Sequence, residues 1–179
     1  MKKRKNITKM VLSAMLLALA LVLPFLTGQI PQIGNALCPM HIPVLLCGFF
    51  CGPIYGAVIG FIAPLLRFML FGMPPIMPKG IAMSFELLGY GFIAGLLYKL
   101  LPKKNVYVYV SLLGAMIGGR IIWGAARTIL YGFGQYEFGF EAFLSGAFLT
   151  AIPGIILQIV FIPLIVIALK KSKLLSELF

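Results

Sequence analysis

The sequence is poor in the residue types that catalytic and metal sites use. Its 179 residues include four acidic side chains, one histidine and three cysteines. It contains no phosphate-binding Gly-Lys-Ser/Thr loop, no aspartate pair, no Ser and His arrangement and no His-x-x-x-His motif. Three cysteines also cannot form a disulfide framework. We therefore expect neither an enzyme nor a disulfide-stapled domain.

Polar residues are too few to cover a soluble domain of this length. Hydrophobic residues make up 61% of the chain and charged residues 11%, with a mean hydropathy of +1.08. This composition predicts an all-α membrane protein, with residues 1–179 forming a single integral membrane domain. A chain this small leaves no room for a soluble nucleotide-binding domain, so any energy source must come from another protein.

The net charge of +11 is distributed in a way that is typical of membrane topology and not of nucleic-acid binding. The basic residues cluster beside apolar runs, at the start, in one central loop and near the end: Lys2, Lys3, Arg4, Lys5 and Lys9; Lys99, Lys103 and Lys104; Lys170, Lys171 and Lys173. Such lysine-rich segments remain in the cytoplasm. Both termini and the central loop are therefore predicted to be cytoplasmic, which requires an even number of spans.

Apolar runs bounded by glycine, proline and charge predict six transmembrane helices. Their approximate ranges are 8–26, 41–51, 54–71, 80–98, 106–131 and 140–169. A signal peptide would share the basic start, but the first run is long and no small-x-small cleavage site follows it. Gly52 and Pro53 predict a cytoplasmic turn, and residues 27–40, 72–79 and 132–139 are expected outside the cell.

Small residues recur four positions apart on several of these helices. The pairs are Ala14 and Ala18, Gly48 and Gly52, Gly56 and Gly60, Gly91 and Gly95, and Gly114 and Gly118. In lipid, helices associate largely through the close approach that small residues permit. The pairs therefore predict helix contacts, either within the chain or with a partner.

Five ionisable residues, Arg67, Lys79, Glu86, Arg120 and Arg127, lie inside or at the rim of the apolar runs. A charge at the bilayer centre costs roughly 2.5 to 3.5 kcal/mol on insertion scales, so such residues normally face a cavity, a partner or a ligand. Four positive charges minus one negative charge give a sum of +3. This excess predicts an anionic ligand.

Helical spacing places several of these residues on common faces. Arg120, Trp123 and Arg127 stand at i, i+3 and i+7, and Glu86 and Tyr90 are one turn apart. The alternating directions of the spans put all five charges in the outer half of the protein. We predict a substrate-binding pocket that is open to the outside. Its lining includes Arg120, Trp123, Arg127, Glu86 and Tyr90.

The remaining predicted binding residues are Arg67, Lys79 and His41. His41 opens the second helix, where it either caps the helix or lines the pocket mouth. Arginine suits a carboxylate or phosphate because its fork donates two parallel hydrogen bonds. In the alternative interpretation, Glu86 clamps one arginine between helices while Arg67, Lys79 and Arg127 extend to the outer headgroups.

A transition-metal site is a further alternative. Cys38, Met40, His41, Cys47 and Cys51 offer soft ligands, and Cys47 and Cys51 are one helical turn apart. The chain has only one histidine and no carboxylate cluster, and buried thiols often serve as small apolar residues. We therefore predict no bound metal.

Four segments give the chain a resemblance to a known family. Residues 40–48 (MHIPVLLCG), 64–67 (PLLR), 71–75 (FGMPP) and 119–124 (GRIIWG) resemble the substrate-binding S components of energy-coupling factor (ECF) vitamin transporters of Gram-positive bacteria. The resemblance covers essentially the whole chain, including the Ala14 and Ala18 pair. It implies an S-component-like helix bundle in a bacterial plasma membrane.

The resemblance also implies partners and a substrate. In that family the first helix docks through its alanine pair onto a transmembrane coupling subunit driven by two ATPases, so ATP is used by the partners and this chain binds no cofactor. Family members bind a vitamin near the extracellular side. Pantothenate, a compact anion with hydroxyl groups, is favoured here, with folate, niacin and a queuosine precursor open.

Two alternatives to a vitamin-binding subunit remain. Nickel and cobalt members of the wider group bind metal through Met-His at the mature N-terminus. Here Met40 and His41 are internal, which argues against that role. The other alternative is a small membrane carrier that works without partners.

Overall fold

The computed structural model describes residues 2–27, 34, 36–132 and 151–171. Over these residues the chain forms helices and short connections, with no β-strand. The α-helices are α1 (Lys2–Val22), α2 (His41–Cys51), α3 (Pro53–Phe71), α4 (Ile81–Leu100), α5 (Asn105–Gly132) and α6 (Ile152–Lys171). A 3₁₀-helical segment, Leu23–Thr27, follows α1, and an irregular turn, Ile76–Gly80, precedes α4.

Helix α2 is the buried centre of the bundle. Every residue from His41 to Cys51 except Ile42 is buried, and the helix contacts α1, α3, α4 and α6. Its 11 residues rise about 16 Å, half of the roughly 30 Å hydrocarbon thickness. A helix that is apolar all round and surrounded by other helices does not have to match the bilayer by itself.

A glycine makes the sharp connection between α2 and α3. Gly52 has φ +100° and ψ 175°, a conformation that side chains rarely tolerate, and its N–H donates to the Gly48 carbonyl over 3.1 Å. Pro53 then occupies the first turn of α3, where its missing N–H costs no helical hydrogen bond. The turn expected from Gly52 and Pro53 is therefore present.

Close approach of glycines holds α2, α3 and α4 together. A Cβ atom added to Gly91 would lie 2.2 Å from the Gly56 carbonyl oxygen, and one added to Gly48 would lie 2.5 Å from the Gly91 carbonyl oxygen. Gly95 similarly faces the Pro53 nitrogen, at 2.6 Å from its added Cβ. The backbones touch directly, as the spacing of small residues predicted.

One end of the bundle gathers lysines. The Lys170 ammonium, at the end of α6, donates to the Lys103 carbonyl oxygen and lies 3.5 Å from the Asn105 side-chain oxygen. Lys103 Nζ donates to the Tyr98 carbonyl oxygen at the end of α4 over 2.7 Å. We call this the lysine-rich end; α4 and α6 end there and α5 begins there.

The second to fifth helices lie within about two residues of the predicted ranges, whereas α1 begins six residues before its predicted start. Among the described residues, five helical stretches are long and apolar enough to cross a membrane: Lys5–Leu26, Pro53–Phe71, Ile76–Leu100, Asn105–Leu130 and Ile152–Lys170. The His41–Cys51 helix is shorter than the other spans, so six full crossings and two cytoplasmic termini remain predictions. The first part of the predicted sixth span, 140–150, and the outer loop after Gly132 lie outside the described residues.

The glycine contact predicts a specific instability. Gly91→Ala should destabilise the protein by about 1 to 3 kcal/mol, because the new methyl group has to push the α3 backbone away from α4. Gly114→Ala is the matched control, since its methyl group would meet only the movable end of the Leu97 side chain. Thermal unfolding in detergent, followed by the loss of helical circular dichroism, measures both; equal losses would contradict the backbone contact.

Candidate functional site

Four buried polar side chains meet between α2, α4 and α5. His41, Glu86, Tyr90 and Arg120 are at most 5% exposed, although each carries a polar or ionisable group. We call these four residues the inner cluster. A glutamate and an arginine at such depth require compensation by charge or hydrogen bonds.

The Glu86 carboxylate is the centre of the inner cluster. Its Oε1 atom lies 3.0 Å from Arg120 Nη1 and 3.4 Å from His41 Nε2. The His41 and Tyr90 rings meet edge to face, with centroids 5.1 Å apart and planes at 87°. Glu86 is therefore the counter-ion of Arg120, one of the two roles considered for it.

The backbone before α2 brings His41 to this place. Cys38 has φ +48°, an uncommon left-handed conformation for a residue with a side chain, and its N–H donates to the Gly34 carbonyl over 3.0 Å. The His41 N–H then donates to the Cys38 carbonyl over 3.1 Å as the helix begins. The Cys38 sulfur lies 4.0 Å from Arg120 Nη2, so the same bend also contacts the arginine.

Gly119 makes room for Tyr90 beside Arg120. A Cβ atom on Gly119 would lie 2.5 Å from Tyr90 Cδ2, inside the ring's van der Waals surface. The tyrosine ring can therefore lie flat against the backbone of α5. Gly119 thus leaves space for the Tyr90 ring, and the next residue, Arg120, supplies a positive charge.

Several polar atoms of the inner cluster have no hydrogen-bond partner within the described part of the chain. They are both ring nitrogens of His41, the Tyr90 hydroxyl, Arg120 Nε and Glu86 Oε1, whose contacts to Arg120 and His41 are close but lack hydrogen-bond geometry. Buried polar atoms in proteins are rarely left unbonded. These atoms give a polar solute both donors and acceptors.

Two further cations lie toward the end opposite to the lysines. The Arg127 guanidinium carbon lies 5.0 Å from the centre of the Trp123 ring, one helical turn beyond Trp123 on α5. Trp123 is buried against Ala82 at the start of α4. Lys79 lies in the turn before α4, and this turn contacts α5, the helix that carries Arg127. We call Lys79 and Arg127 the outer cations.

The outer cations and the inner cluster together carry a positive excess. Lys79, Arg120 and Arg127 minus Glu86 give three positive charges minus one, or +2, with His41 counted as neutral. Because Glu86 lies against Arg120, the two remaining positive charges of this set are those of the outer cations. These ammonium and guanidinium groups can donate hydrogen bonds to an anionic group of a solute.

Arg67 lies elsewhere, at the contact between α1 and α3. Its Nη1 donates to the Leu21 carbonyl oxygen over 2.6 Å, and its guanidinium carbon lies 5.1 Å from the Phe25 ring and 5.4 Å from the Phe71 ring. The residue is 4% exposed. A main-chain carbonyl and two aromatic faces therefore hold the Arg67 guanidinium at this contact, apart from the inner cluster.

Gln158 is a buried polar residue that the sequence analysis missed. It is 1% exposed, and neither its amide nitrogen nor its amide oxygen has a partner within the described ranges. Gly154, one turn earlier on the same face of α6, packs against the carbonyls of Ala36 and Leu37, just before α2. A lone amide in an otherwise apolar helix was the available signal.

The alanine pair on α1 lies on an exposed face. Ala14 and Ala18 are exposed, whereas Ser13, Leu16 and Ala20 on the other side of the helix are buried. The pair is therefore available to lipid or to a partner helix. The docking role implied by the resemblance stays a prediction at this point.

One of the cysteines that were considered as metal ligands packs between two helices. Among the residues that the structure describes, no three side chains of His, Cys, Asp or Glu come close enough together to hold a metal ion. Cys47 instead donates to the Ser13 hydroxyl over 3.6 Å, which joins α2 to α1. The cysteine acts there as a packing residue.

The ion pair predicts a coupled loss of stability. Glu86→Gln should cost about 3 to 5 kcal/mol, because it leaves the Arg120 charge buried and uncompensated. Adding Arg120→Gln should restore part of that loss, since the double variant buries no charge. Thermal unfolding in detergent measures the cycle; a double variant whose loss equals the sum of the two single losses would show that the pair does not interact.

Comparison with known proteins identifies a family for this small helical membrane protein. The family model described as "ECF transporter, substrate-specific component" matches residues 8–166, which is most of the chain. No curated protein and no solved structure matches it. The chain therefore belongs to the family of ECF transporter substrate-specific components.

Proposed function

We propose that this protein is the high-affinity binding subunit of an ATP-driven importer for a small anionic vitamin, with pantothenate favoured. The observation that carries the proposal is the convergence of buried, hydrogen-bond-competent atoms from α2, α4 and α5 below a pair of cations. Membership of the family indicates a role in the transport of a substrate. The charge and polarity of the site indicate the chemical class of that substrate.

The two parts of the site suit two parts of such a molecule. The outer cations, Lys79 and Arg127, attract a carboxylate, and the Trp123 face beneath Arg127 holds the guanidinium in place. The inner cluster has no net charge when His41 is neutral. Its atoms therefore suit hydroxyl and amide groups rather than a second anion.

A single carboxylate with hydroxyl and amide groups at the other end matches this division. Pantothenate has that distribution of groups, which is why it is favoured over the larger folate and over niacin, which lacks hydroxyl groups. Gln158, a buried amide on α6, is proposed to extend the polar lining of the site. An amide both donates and accepts, so it can pair with either a hydroxyl or an amide of the solute.

The first test identifies and measures the ligand. We expect mass spectrometry of small molecules that co-purify with the detergent-solubilised protein to detect a monocarboxylate. Arg127→Ala should weaken its binding at least about tenfold, since a charge-assisted hydrogen bond contributes roughly 1.5 to 3 kcal/mol. Isothermal titration with pantothenate measures the change.

The controls separate the site from general effects of charge. Lys99→Ala removes an exposed cation at the end of α4, far from the site, and should leave the affinity unchanged. Arg120→Gln should weaken binding by disturbing Glu86 and His41 at the floor. Equal affinities of wild type, Arg127→Ala and Arg120→Gln would overturn the site, and a neutral or cationic co-purifying solute would overturn the anionic class.

Coupling to the importer is proposed to use the exposed alanine face of α1. The chain would contribute no catalytic step, and ATP would be hydrolysed by two partner ATPases. Ala14→Trp should prevent co-purification of the coupling subunit, because an indole keeps the two backbones apart at a contact that small residues allow. Pull-down of the tagged chain, co-expressed with the coupling subunit and ATPases of its host, measures the association.

The matched control is Ala125→Trp, at another exposed alanine, on α5. Both variants should keep the affinity for the solute. Loss of solute binding in Ala14→Trp as well would show that the position belongs to the core. A wild-type chain that never retains these partners would favour a carrier that works alone.

A further inference from the structure

An apolar groove runs between α5 and α6, in the half of the bundle that is nearer the lysine-rich end. Its volume is about 510 Å³, and it is lined by Tyr109, Ile159, Val160, Leu164, Ile167 and Ala168. Tyr109, Val160, Leu164 and Ala168 are exposed, so the groove opens outward from the bundle. It is separate from the inner cluster and the outer cations.

The length of the groove matches one leaflet of a bilayer. Its lining on α6 begins at Ile159 and ends at Ala168, just before Lys170. The lining from Ile159 to Ala168 rises about 14 Å at 1.5 Å per residue, and Lys170 lies about 3 Å further along. One leaflet contributes about 15 Å, half of the hydrocarbon thickness. With Lys170 at the level of the headgroups, the groove would extend to about the bilayer midplane.

Two lysines meet at the headgroup end of this groove. Lys170 Nζ donates to the Lys103 carbonyl oxygen and lies 3.5 Å from the Asn105 side-chain oxygen. Lys103 Nζ donates to the Tyr98 carbonyl oxygen and lies 3.9 Å from the centre of the Tyr98 ring. The Lys170 ammonium is held by a carbonyl of the loop between α4 and α5, and the Lys103 ammonium by a carbonyl in the last turn of α4, with Tyr109 one turn into α5.

Like charges held in this way repel each other. Partial desolvation lowers the pKa of Lys103, and the positive charge of Lys170 lowers it further. A phosphate placed between or beside the two ammonium groups would offset the repulsion and accept hydrogen bonds from both. The two ammonium groups therefore offer hydrogen-bond donors to one phosphate at this corner, away from the solute site at the other end.

The walls of the groove favour an acyl chain over a protein helix. Five of the six lining residues are large or branched: Tyr109, Ile159, Val160, Leu164 and Ile167. Helices in membranes pack through small residues that allow close backbone approach. Among the described residues that line the groove, Ala168 is the only small one. A flexible hydrocarbon chain can follow an irregular surface of branched side chains.

We propose that this groove is a binding site for one anionic phospholipid, with the phosphate on Lys103 and Lys170 and one acyl chain along Leu164 and Ala168. The juxtaposition of a leaflet-length apolar groove with a fixed lysine pair at its mouth carries the proposal. The proposal does not depend on the identity of the transported solute.

The test compares lipids that differ only in their headgroup. Native mass spectrometry of the full-length protein in detergent, with added dioleoyl-phosphatidylglycerol or dioleoyl-phosphatidylcholine, should show a retained adduct with the anionic lipid. Lys103→Gln with Lys170→Gln should weaken retention roughly fivefold for each lysine, since a lysine near an anionic headgroup contributes about that factor. Lys99→Gln, an exposed lysine of the same end, is the matched control.

The groove itself is tested by filling it. Ala168→Trp should displace the acyl chain and reduce retention of the anionic lipid, whereas Ala125→Trp, at an exposed site outside the groove, should not. Ala168 is exposed, so the change does not disturb the core. Thermal unfolding without added lipid checks that both variants are folded.

Several outcomes would overturn the proposal. Equal retention of the two lipids, or unchanged retention in the double lysine variant, would show that the lysines do not select an anion. Retention of water-soluble glycerol phosphate as strong as that of the lipid would exclude the groove. Loss of the coupling subunit in Ala168→Trp, with lipid retention unchanged, would make the groove a protein interface.

Discussion

The ion pair between Glu86 and Arg120 is the interaction on which the polar interior depends. It joins α4 to α5 at a depth where either charge alone would be expensive, and its carboxylate also lies 3.4 Å from the His41 ring at the start of α2. One carboxylate thus contacts side chains of two other helices. The other polar groups, Tyr90 and the Cys38 bend, are arranged around that pair.

The apolar part of the fold makes this arrangement possible. Helix α2 is buried along almost its whole length, and the glycines of α2, α3 and α4 let the backbones touch, so this short helix is surrounded by other helices. A half-length helix beginning inside the bundle places its first residue, His41, at the floor of the site. A full-length helix would carry the same residue toward the membrane surface.

Much of this could be predicted from the sequence, for identifiable reasons. Gly52 and Pro53 mark a turn by local chemistry, and the helix bounds follow from apolar runs that have no competing interpretation in a chain of this composition. The facing of Glu86, Tyr90 and Arg120 followed from helical spacing and alternating directions. These features depend on residues near one another in the sequence, or on the rule that two cytoplasmic termini require an even number of spans. The order of the residues is therefore enough to predict them.

The partners of each buried charge were harder to predict from the sequence, because they include main-chain atoms of distant helices. Arg67 and Arg120 are both arginines in apolar runs, but Arg67 is satisfied by the Leu21 carbonyl, just before α1 tightens into a 3₁₀ helix, and by two aromatic rings. No spacing within 64–67 predicts a carbonyl on α1. Gln158 was missed for the same reason, since its environment is created by the packing of Gly154 on the segment before α2.

The contacts of α1 connect the exposed alanine face to the site through α2. Ser13, beside the exposed Ala14, accepts a hydrogen bond from Cys47 in the middle of α2, while Arg67 fixes the other end of α1 to α3. Because α2 begins at His41 and is buried along its length, a displacement of α1 cannot occur without a change in the packing of α2. The face proposed for docking and the floor proposed for the solute are therefore parts of one packed unit, separated by a single helix.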